Sequence, residues 1–185
     1  RAADNPVSML ILKAFGDVIV YGGHVVYQGR ELHNYLVERI LAASDGSVPL
    51  EPLGRFMENV LQNPDQRAQD DLYSWCEATG LPLTEDGHII AYKAVSGAYL
   101  DHYTGRFDHT PGKIVEMSRH LCDPDPAKTC SDGLHFCAAD YLPRYHAGES
   151  RIVLLKINPA DVVAFPRDYG WSKGRACRYE VIEEI

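Results

Sequence analysis

The sequence predicts an α+β fold in which an N-terminal strand hairpin and helices precede a β-rich C-terminal region. Gly22-Gly23 separates two runs rich in β-branched and aromatic residues, which is typical of a hairpin. The following segment carries apolar residues at helical spacing. After Gly80, short apolar runs alternate with Pro, Gly, Asp and Thr, as in strands joined by turns. We therefore predict a hairpin and helical region over residues 1–80 and a mixed or antiparallel α+β domain over residues 81–185.

Two strands are predicted between Leu10 and Tyr27, and three helices follow them. The first two helices are predicted over residues 31–43 and 52–61. The third is predicted to begin at Asn63-Pro64, with asparagine as the N-cap and proline at the first helical position, and to end at Gly80. Its apolar stripe, which we interpret as core, consists of Ala68, Leu72, Trp75, Cys76 and Thr79.

The C-terminal region carries strand patterns separated by turns. Asp86-Gly87 predicts a turn before the first of these strands. The strand that begins at Arg151 has a continuous apolar centre, which predicts burial on both faces. The strands are predicted over residues 88–95, 151–158, 161–165 and 177–185.

Composition limits the function classes. The net charge of −8 argues against binding to bulk nucleic acid, which needs a basic surface. No stretch approaches the roughly 20 apolar residues of a membrane span, and no secretory signal pattern is present. Because the chain begins with Arg1, we expect the native N-terminus to lie upstream, so a removed targeting segment stays open.

Five cysteines at irregular spacing predict reduced thiols in a cytoplasmic protein. Cys122, Cys130, His135 and Cys137 are weak candidates for a zinc site, because thiolates and imidazole are zinc ligands. Their spacing lacks the paired C-x2-C of structural zinc sites, so we predict neither a metal site nor a cofactor. Cys130 with His135 as a nucleophile and its base is the alternative, but no spacing requires that contact.

Basic residues are concentrated near the C-terminus despite the acidic total. The candidate contacts for an anion such as phosphate are Arg119, His120, Lys173 and Arg175, and guanidinium groups bind phosphate especially well. Arg178 and Glu180 share one face of the last predicted strand, where they line either a ligand cleft or a solvated sheet face.

Several motifs of the C-terminal region resemble the rIIB-like family of tailed bacteriophages, over about residues 50–185. They occur in order as LPLTEDGHIIAYKAV, YLDHYTGRFDH, PGKIVEMSRHLCD, TCSDGLHFCAADYL and INPADVVAFPRDYGWSKGRACRYEVI. The resemblance implies an early phage protein in the cytoplasm of the infected host. It implies lysis inhibition or evasion of host exclusion, together with an rIIA-type phage partner or a host protein, and supplies no catalytic residue.

A second resemblance concerns the fold. Four segments look like parts of ADP-ribosyltransferases: HIIAYKAV like the first strand, GLHFCAADYLPRY like a strand that leads into a helix, RIVLLKINP like the strand after that helix, and ACRYEVI like the final strand. It implies a cleft near Tyr92, Ser131, His135 and Glu180. Two positions depart from that family: Tyr92-Lys93 replaces the usual His or Arg, and His135 replaces the usual tyrosine.

Three functions follow as hypotheses. The first is a non-enzymatic phage accessory protein that binds a host factor, a phage partner or a nucleotide. The alternatives are a divergent ADP-ribosyltransferase-like enzyme, which leaves catalytic activity open, and a virion structural protein. The candidate ligand-binding residues are Tyr92, Lys93, Arg119, Ser131, His135, Lys173, Arg175, Arg178 and Glu180.

Overall fold

The computed structural model describes residues 18–21, 24–27, 29–42, 49, 51–80, 83–145, 148 and 150–185. The α-helices are α1 (Asn34–Ala42), α2 (Glu51–Leu61), α3 (Gln66–Thr79) and α4 (Leu142–Tyr145). The strands are β1 (Val18–Tyr21), β2 (His24–Tyr27), β3 (Arg30–Glu31), β4 (Ile89–Val95), β5 (Ile114–Glu116), β6 (Leu134–Cys137), β7 (Arg151–Ile157), β8 (Val162–Ala164), β9 (Lys173–Ala176) and β10 (Arg178–Glu184).

The predicted N-terminal hairpin is confirmed. β1 and β2 are antiparallel, with Val20 opposite Val25, although the predicted strand residues before Val18 and the Gly22-Gly23 turn lie outside the described residues. β3 extends this sheet beside β2, so α1 begins at Asn34 rather than at Glu31 as predicted. A two-residue strand of charged residues carries no periodic signal, which is why the sequence did not indicate it.

The three predicted helices are confirmed, with a corrected start for α3. Its N-cap is Asp65, whose carboxylate accepts hydrogen bonds from the amides of Arg67 (2.9 Å) and Ala68 (3.4 Å). Asn63 has another role, since its amide donates to carbonyl oxygens of the segment that leads into β8. Gly80 ends the helix in the left-handed conformation, as predicted.

The seven C-terminal strands form one antiparallel sheet in the order β5-β10-β7-β4-β6-β9-β8, which confirms an α+β fold. β7 corrects one prediction. Val153, Leu155 and Ile157 are buried, whereas Ile152 and Leu154 are half-buried. The strand therefore has one fully covered face rather than two.

The helices pack on the sheet through an aromatic cluster. Trp75 of α3 contacts Phe136 of β6 edge to face and stacks on Phe165, with ring centroids 5.9 and 5.7 Å apart. All three side chains are buried, so the interpretation of Trp75 as core is confirmed. One buried apolar cluster runs from Tyr27 to Val181, which joins the helices and the sheet; the division near residue 80 stays a prediction.

Candidate functional site

A cavity of about 200 Å³ lies between the long β4–β5 connection and strands β4, β6 and β10. Apolar surface dominates its walls, to which Phe107 and Leu134 contribute. The polar groups that reach it include Lys93, Asp101, His109, Ser131, His135 and Tyr179. An apolar pocket with a few convergent polar groups is the usual form of a small-molecule site.

Lys93 lies on the central strand β4, in register with the buried Val153. Strand alternation places its side chain on the same face as the buried Ala91. Its Nζ donates a hydrogen bond to the carbonyl oxygen of His135 at 2.8 Å. Burial lowers the pKa of Lys93 to about 8, because desolvation disfavours the ammonium form.

His109 is fully buried against the sheet. Its Nδ1 lies 2.9 Å from the carbonyl oxygen of Phe107, which only accepts, so Nδ1 carries the hydrogen. Nε2 then accepts from the hydroxyl of Tyr179 at 2.9 Å. Burial lowers the pKa of His109 to about 4 and raises the pKa of Tyr179 well above its ordinary value. Both groups are therefore neutral at pH 7.

His135 is the second neutral histidine of the pocket. Its Nε2 donates to the carbonyl oxygen of Ser131 at 2.7 Å, and burial lowers its pKa to about 4. Ser131 is itself fixed in the cavity wall, because its hydroxyl donates a hydrogen bond to the carboxylate of Asp123. A structural role therefore accounts for one ring nitrogen of His135.

Asp101 folds the β4–β5 connection into a tight loop. Its carboxylate accepts hydrogen bonds from the amides of Thr104, Arg106 and Phe107 at 2.6 to 3.0 Å. Burial by itself would raise the pKa of Asp101, but these hydrogen bonds lower it to about 2. The pocket thus holds one fixed negative charge whose acceptor sites are occupied.

Arg175 supports the opposite wall from inside the protein. It is fully buried. Its guanidinium donates to the carbonyl oxygens of Asp123 (3.0 Å), Asp125 (2.6 Å) and Lys128 (2.6 Å). These bonds hold the loop that carries Ser131, so the contacts of Arg175 are structural.

Arg119 and Lys173 lie away from this cavity, and their contacts are internal. Arg119 donates at 2.9 Å to Asn63 Oδ1 and to the carbonyl oxygens of Ala160 and Val162. The Nζ of Lys173 lies 2.8 Å from the carboxylate of Asp168. The predicted basic residues therefore do not converge on one anion site.

The cleft implied by the ADP-ribosyltransferase resemblance is not assembled as a unit. Ser131 and His135 line the cavity. Tyr92 alternates to the other face of β4 from Lys93, and Glu180 to the other face of β10 from Tyr179. Arg178 and Glu180 lie exposed on that face, where Arg178 Nε is 3.4 Å from the carboxylate of Glu116.

The cysteines are dispersed. Cys130 is exposed at the cavity, Cys137 is buried with a pKa raised to about 12 by desolvation, and Cys122 packs with Val163 and Cys177. Within the described residues, no group of three or more His, Cys, Asp or Glu side chains could hold a metal ion. No hydrogen bond joins Cys130 to His135 in that part of the chain.

Sequence reasoning found Lys93, Ser131 and His135 but missed Asp101, His109 and Tyr179. The last two are 70 residues apart and meet only through the sheet, so no local pattern could pair them. Asp101 does carry a local signal, because an aspartate before a Thr-Gly pair is typical of a side-chain-capped turn.

His109, which is buried, and His135, which is half-buried, predict a loss of stability in mild acid. Their folded pKa of about 4 lies below the ordinary 6.5, so the unfolded chain takes up protons first as the pH falls. Their contribution is complete above pH 6.5 and declines toward pH 4, with a slope of up to about 1.4 kcal/mol per pH unit for each histidine. Urea unfolding at several pH values measures this slope.

The matched variants are His109→Gln and His120→Gln. His120 is exposed. We expect His109→Gln to flatten the pH dependence between pH 6.5 and 4 and His120→Gln to leave it unchanged. Equal slopes for the two variants would show that His109 is not held neutral by burial.

Comparisons with known proteins identify the family. The family model described as Bacteriophage T4 protein rIIB matches residues 10–184. Protein rIIB of Enterobacteria phage T4 is 41% identical over 170 residues, which cover 92% of this chain and 54% of that protein. The chain thus spans about half the length of this curated relative. No solved structure matches, and the ADP-ribosyltransferase-like fold is not confirmed.

The structure adds one negative finding on membrane insertion. Across the described ranges, the helices are too short or too polar to traverse a bilayer.

The family match covers nearly the whole chain, including every element that lines the cavity. The chain therefore belongs to the bacteriophage rIIB family.

Proposed function

We propose that this chain is the small-ligand-binding part of an rIIB-type accessory protein in the cytoplasm of the infected host. There it modulates host physiology, through lysis inhibition or counter-defence, in concert with an rIIA-type phage partner or a host protein. The observation that supports ligand binding is the cavity over β4, β6 and β10. The family match supports the phage context.

The cavity has the features of a recognition site rather than of a packing defect. Its walls are mainly apolar, and Lys93 brings a charged group to it from the middle of the sheet. Hydrogen bonds within the protein fix the positions of His109, His135 and Asp101. Such fixed polar groups confer selectivity without reorganisation on binding.

The volume limits the ligand. About 200 Å³ is below the roughly 300–1,000 Å³ of pockets that enclose drug-sized molecules. A nucleotide would insert only its base and leave its sugar and phosphates outside. A compact molecule with one ring is the ligand that fills the cavity.

A variant at the cavity wall tests this function. Ala94 is buried and lines the cavity, although strand alternation places its side chain on the face of β4 opposite to that of Lys93. Ala94→Leu adds three carbons at this wall and should change the shape of the ligand space. We expect a phage that carries Ala94→Leu to show the lysis timing and plaque-forming defect of a phage without the gene. Lysis curves and plating on several hosts measure both phenotypes.

The control is Ala98→Leu, which makes the same change at an exposed turn residue outside the cavity. Protein abundance in infected cells and thermal unfolding of both purified variants separate loss of the ligand from loss of the fold. If a folded Ala94→Leu protein supports infection as the wild type does, the pocket is not used. Binding of a protein partner by another surface would then be favoured.

A further inference from the structure

Lys93 lacks the carboxylate partner that the other described lysines have. The partners are Asp108 for Lys113, Asp123 for Lys128, Asp86 for Lys156 and Asp168 for Lys173, with N–O distances of 2.6 to 3.8 Å. In the described part of the chain, no carboxylate lies within 4 Å of the Lys93 ammonium, which contacts only the carbonyl oxygen of His135. An ammonium group has three donors, so hydrogen-bonding capacity remains at the cavity.

Lys93 is half-buried, and the charge of Asp101 acts on it without forming an ion pair. A charge withdrawn from water without a hydrogen-bonded counter-ion is unfavourable, and proteins seldom retain one without compensation. The other charge at the cavity is the carboxylate of Asp101, which already accepts three backbone amides. The histidines are neutral and add no positive charge. The cavity therefore offers one cationic donor with free hydrogen-bonding capacity, whereas the acceptor sites of Asp101 are occupied. One ammonium can pair with one negative charge, and Asp101 opposes any further negative charge on the ligand.

The walls define the rest of the ligand. A dry apolar cavity of about 150 Å³ accommodates a benzene ring. The present cavity, at about 200 Å³, has room for one ring with one substituent. Leu134 and Phe107 supply apolar surface on which such a ring would pack.

We infer that the pocket binds a small monoanionic ring acid, whose carboxylate pairs with Lys93 and whose ring packs against Leu134 and Phe107. This inference rests on the proposed function and names its ligand class. The bound carboxylate would supply the hydrogen-bonded counter-ion that Lys93 lacks within the described residues. A phosphate dianion is disfavoured, because Lys93 neutralises only one of its charges and Asp101 adds repulsion.

Calorimetric titration and thermal unfolding with three probes test the inference: benzoate, its neutral analogue benzamide, and inorganic phosphate. We expect benzoate to bind the 185-residue chain at least tenfold more tightly than benzamide or phosphate, and to raise the unfolding midpoint. Lys93→Met should weaken benzoate binding at least tenfold. Lys113→Met, which changes an exposed lysine, should not alter it.

The unfolding midpoint of Lys93→Met without ligand is a further test. Replacing a half-buried ammonium that has no ion-pair partner with an apolar chain of similar length should maintain or raise the unfolding midpoint. A variant that stays folded and loses benzoate supports the ion pair. Equal binding of benzamide and benzoate, or undiminished benzoate binding by Lys93→Met, would overturn the acid inference and leave a neutral-ligand pocket in place.

The pH dependence of benzoate binding is an independent test of the inference. Benzoate stays anionic above pH 7, so its affinity should fall as the pH rises through about 8 and Lys93 loses its proton. The titratable groups that face the cavity from the packed elements are Asp101, His102, Tyr103, His109, Cys130, His135 and Tyr179. Cys130→Ser, measured in parallel, removes the thiol from this set; a pH profile that changes with Cys130→Ser would refute the assignment to Lys93. Absence of benzoate binding at any pH would refute the inference, whereas the infection phenotype of Ala94→Leu tests the pocket itself.

Discussion

Arg175→Met is expected to lower the free energy of unfolding by about 3 kcal/mol, because it removes one buried donor group from three backbone carbonyls. Hydrogen bonds from a charged group contribute about 1.5–3 kcal/mol each, and part of that is recovered where the exposed end of the loop regains water. Urea unfolding monitored by tryptophan fluorescence measures the change. The same substitution should weaken ligand binding, since the loop carries Ser131 at the cavity wall.

Arg178→Met is the matched control. Arg178 lies in the next strand but is exposed, and its pair with Glu116 on the sheet surface should be worth less than 1 kcal/mol. If Arg175→Met cost no more than Arg178→Met, the loop over residues 123–128 would be held by other contacts. The interpretation of Arg175 as structural would then be wrong.

Arg175 also explains where sequence reasoning met its limit. The segment Lys173–Ala176 is short and basic and lacks apolar alternation, so no strand was predicted there, and Lys173 and Arg175 were interpreted as candidate contacts for an anion. In the structure it is strand β9, buried along its whole length. The partners that make burial of Arg175 favourable lie about 50 residues earlier in the chain. Periodicity cannot reveal such distant partners.

The elements that the sequence did predict share a strong local signal. α2 and α3 have apolar residues at helical spacing, and β4 follows a clear turn. β5 has three residues and β3 has two, too few for a period to be visible. Local pattern therefore located most of the sheet and helices, whereas the order of strands came only from the structure.

The residues of the candidate site likewise fall into those that the sequence indicated and those that only the structure revealed. Lys93 and His135 were singled out because the motifs around them resemble known families, and both line the cavity. His109 and Tyr179 complete it through one hydrogen bond that links the β4–β5 connection to β10. A pocket formed by segments so distant in sequence depends on sheet topology, which composition and spacing do not specify.

Gly87→Ala is expected to be strongly destabilising, because the turn before β4 lies directly against the backbone of α2. Gly87 has φ +74°, and an added Cβ would lie 2.2 Å from the backbone nitrogen of Phe56 in α2. The left-handed backbone costs alanine about 1 kcal/mol and overpacking against rigid backbone up to about 3 kcal/mol. We expect a loss on the order of 4 kcal/mol, measured by urea unfolding.

We expect the added methyl group to disturb α2 as well as the turn, because side-chain hydrogen bonds attach the turn to α2. Arg55 donates to the carbonyl oxygen of Glu85 at 2.8 Å, and Asn59 to that of Asp86 at 3.0 Å, so α2 cannot retreat without breaking them. Gly80→Ala is the control, since Gly80 has φ +72° and open space around the added methyl. Gly80→Ala should lower the free energy of unfolding only by the cost of the left-handed backbone, about 1 kcal/mol. Equal losses of unfolding free energy for the two variants would mean that α2 moves away from the added methyl group at no cost. The turn would then not fix the position of α2 on the sheet.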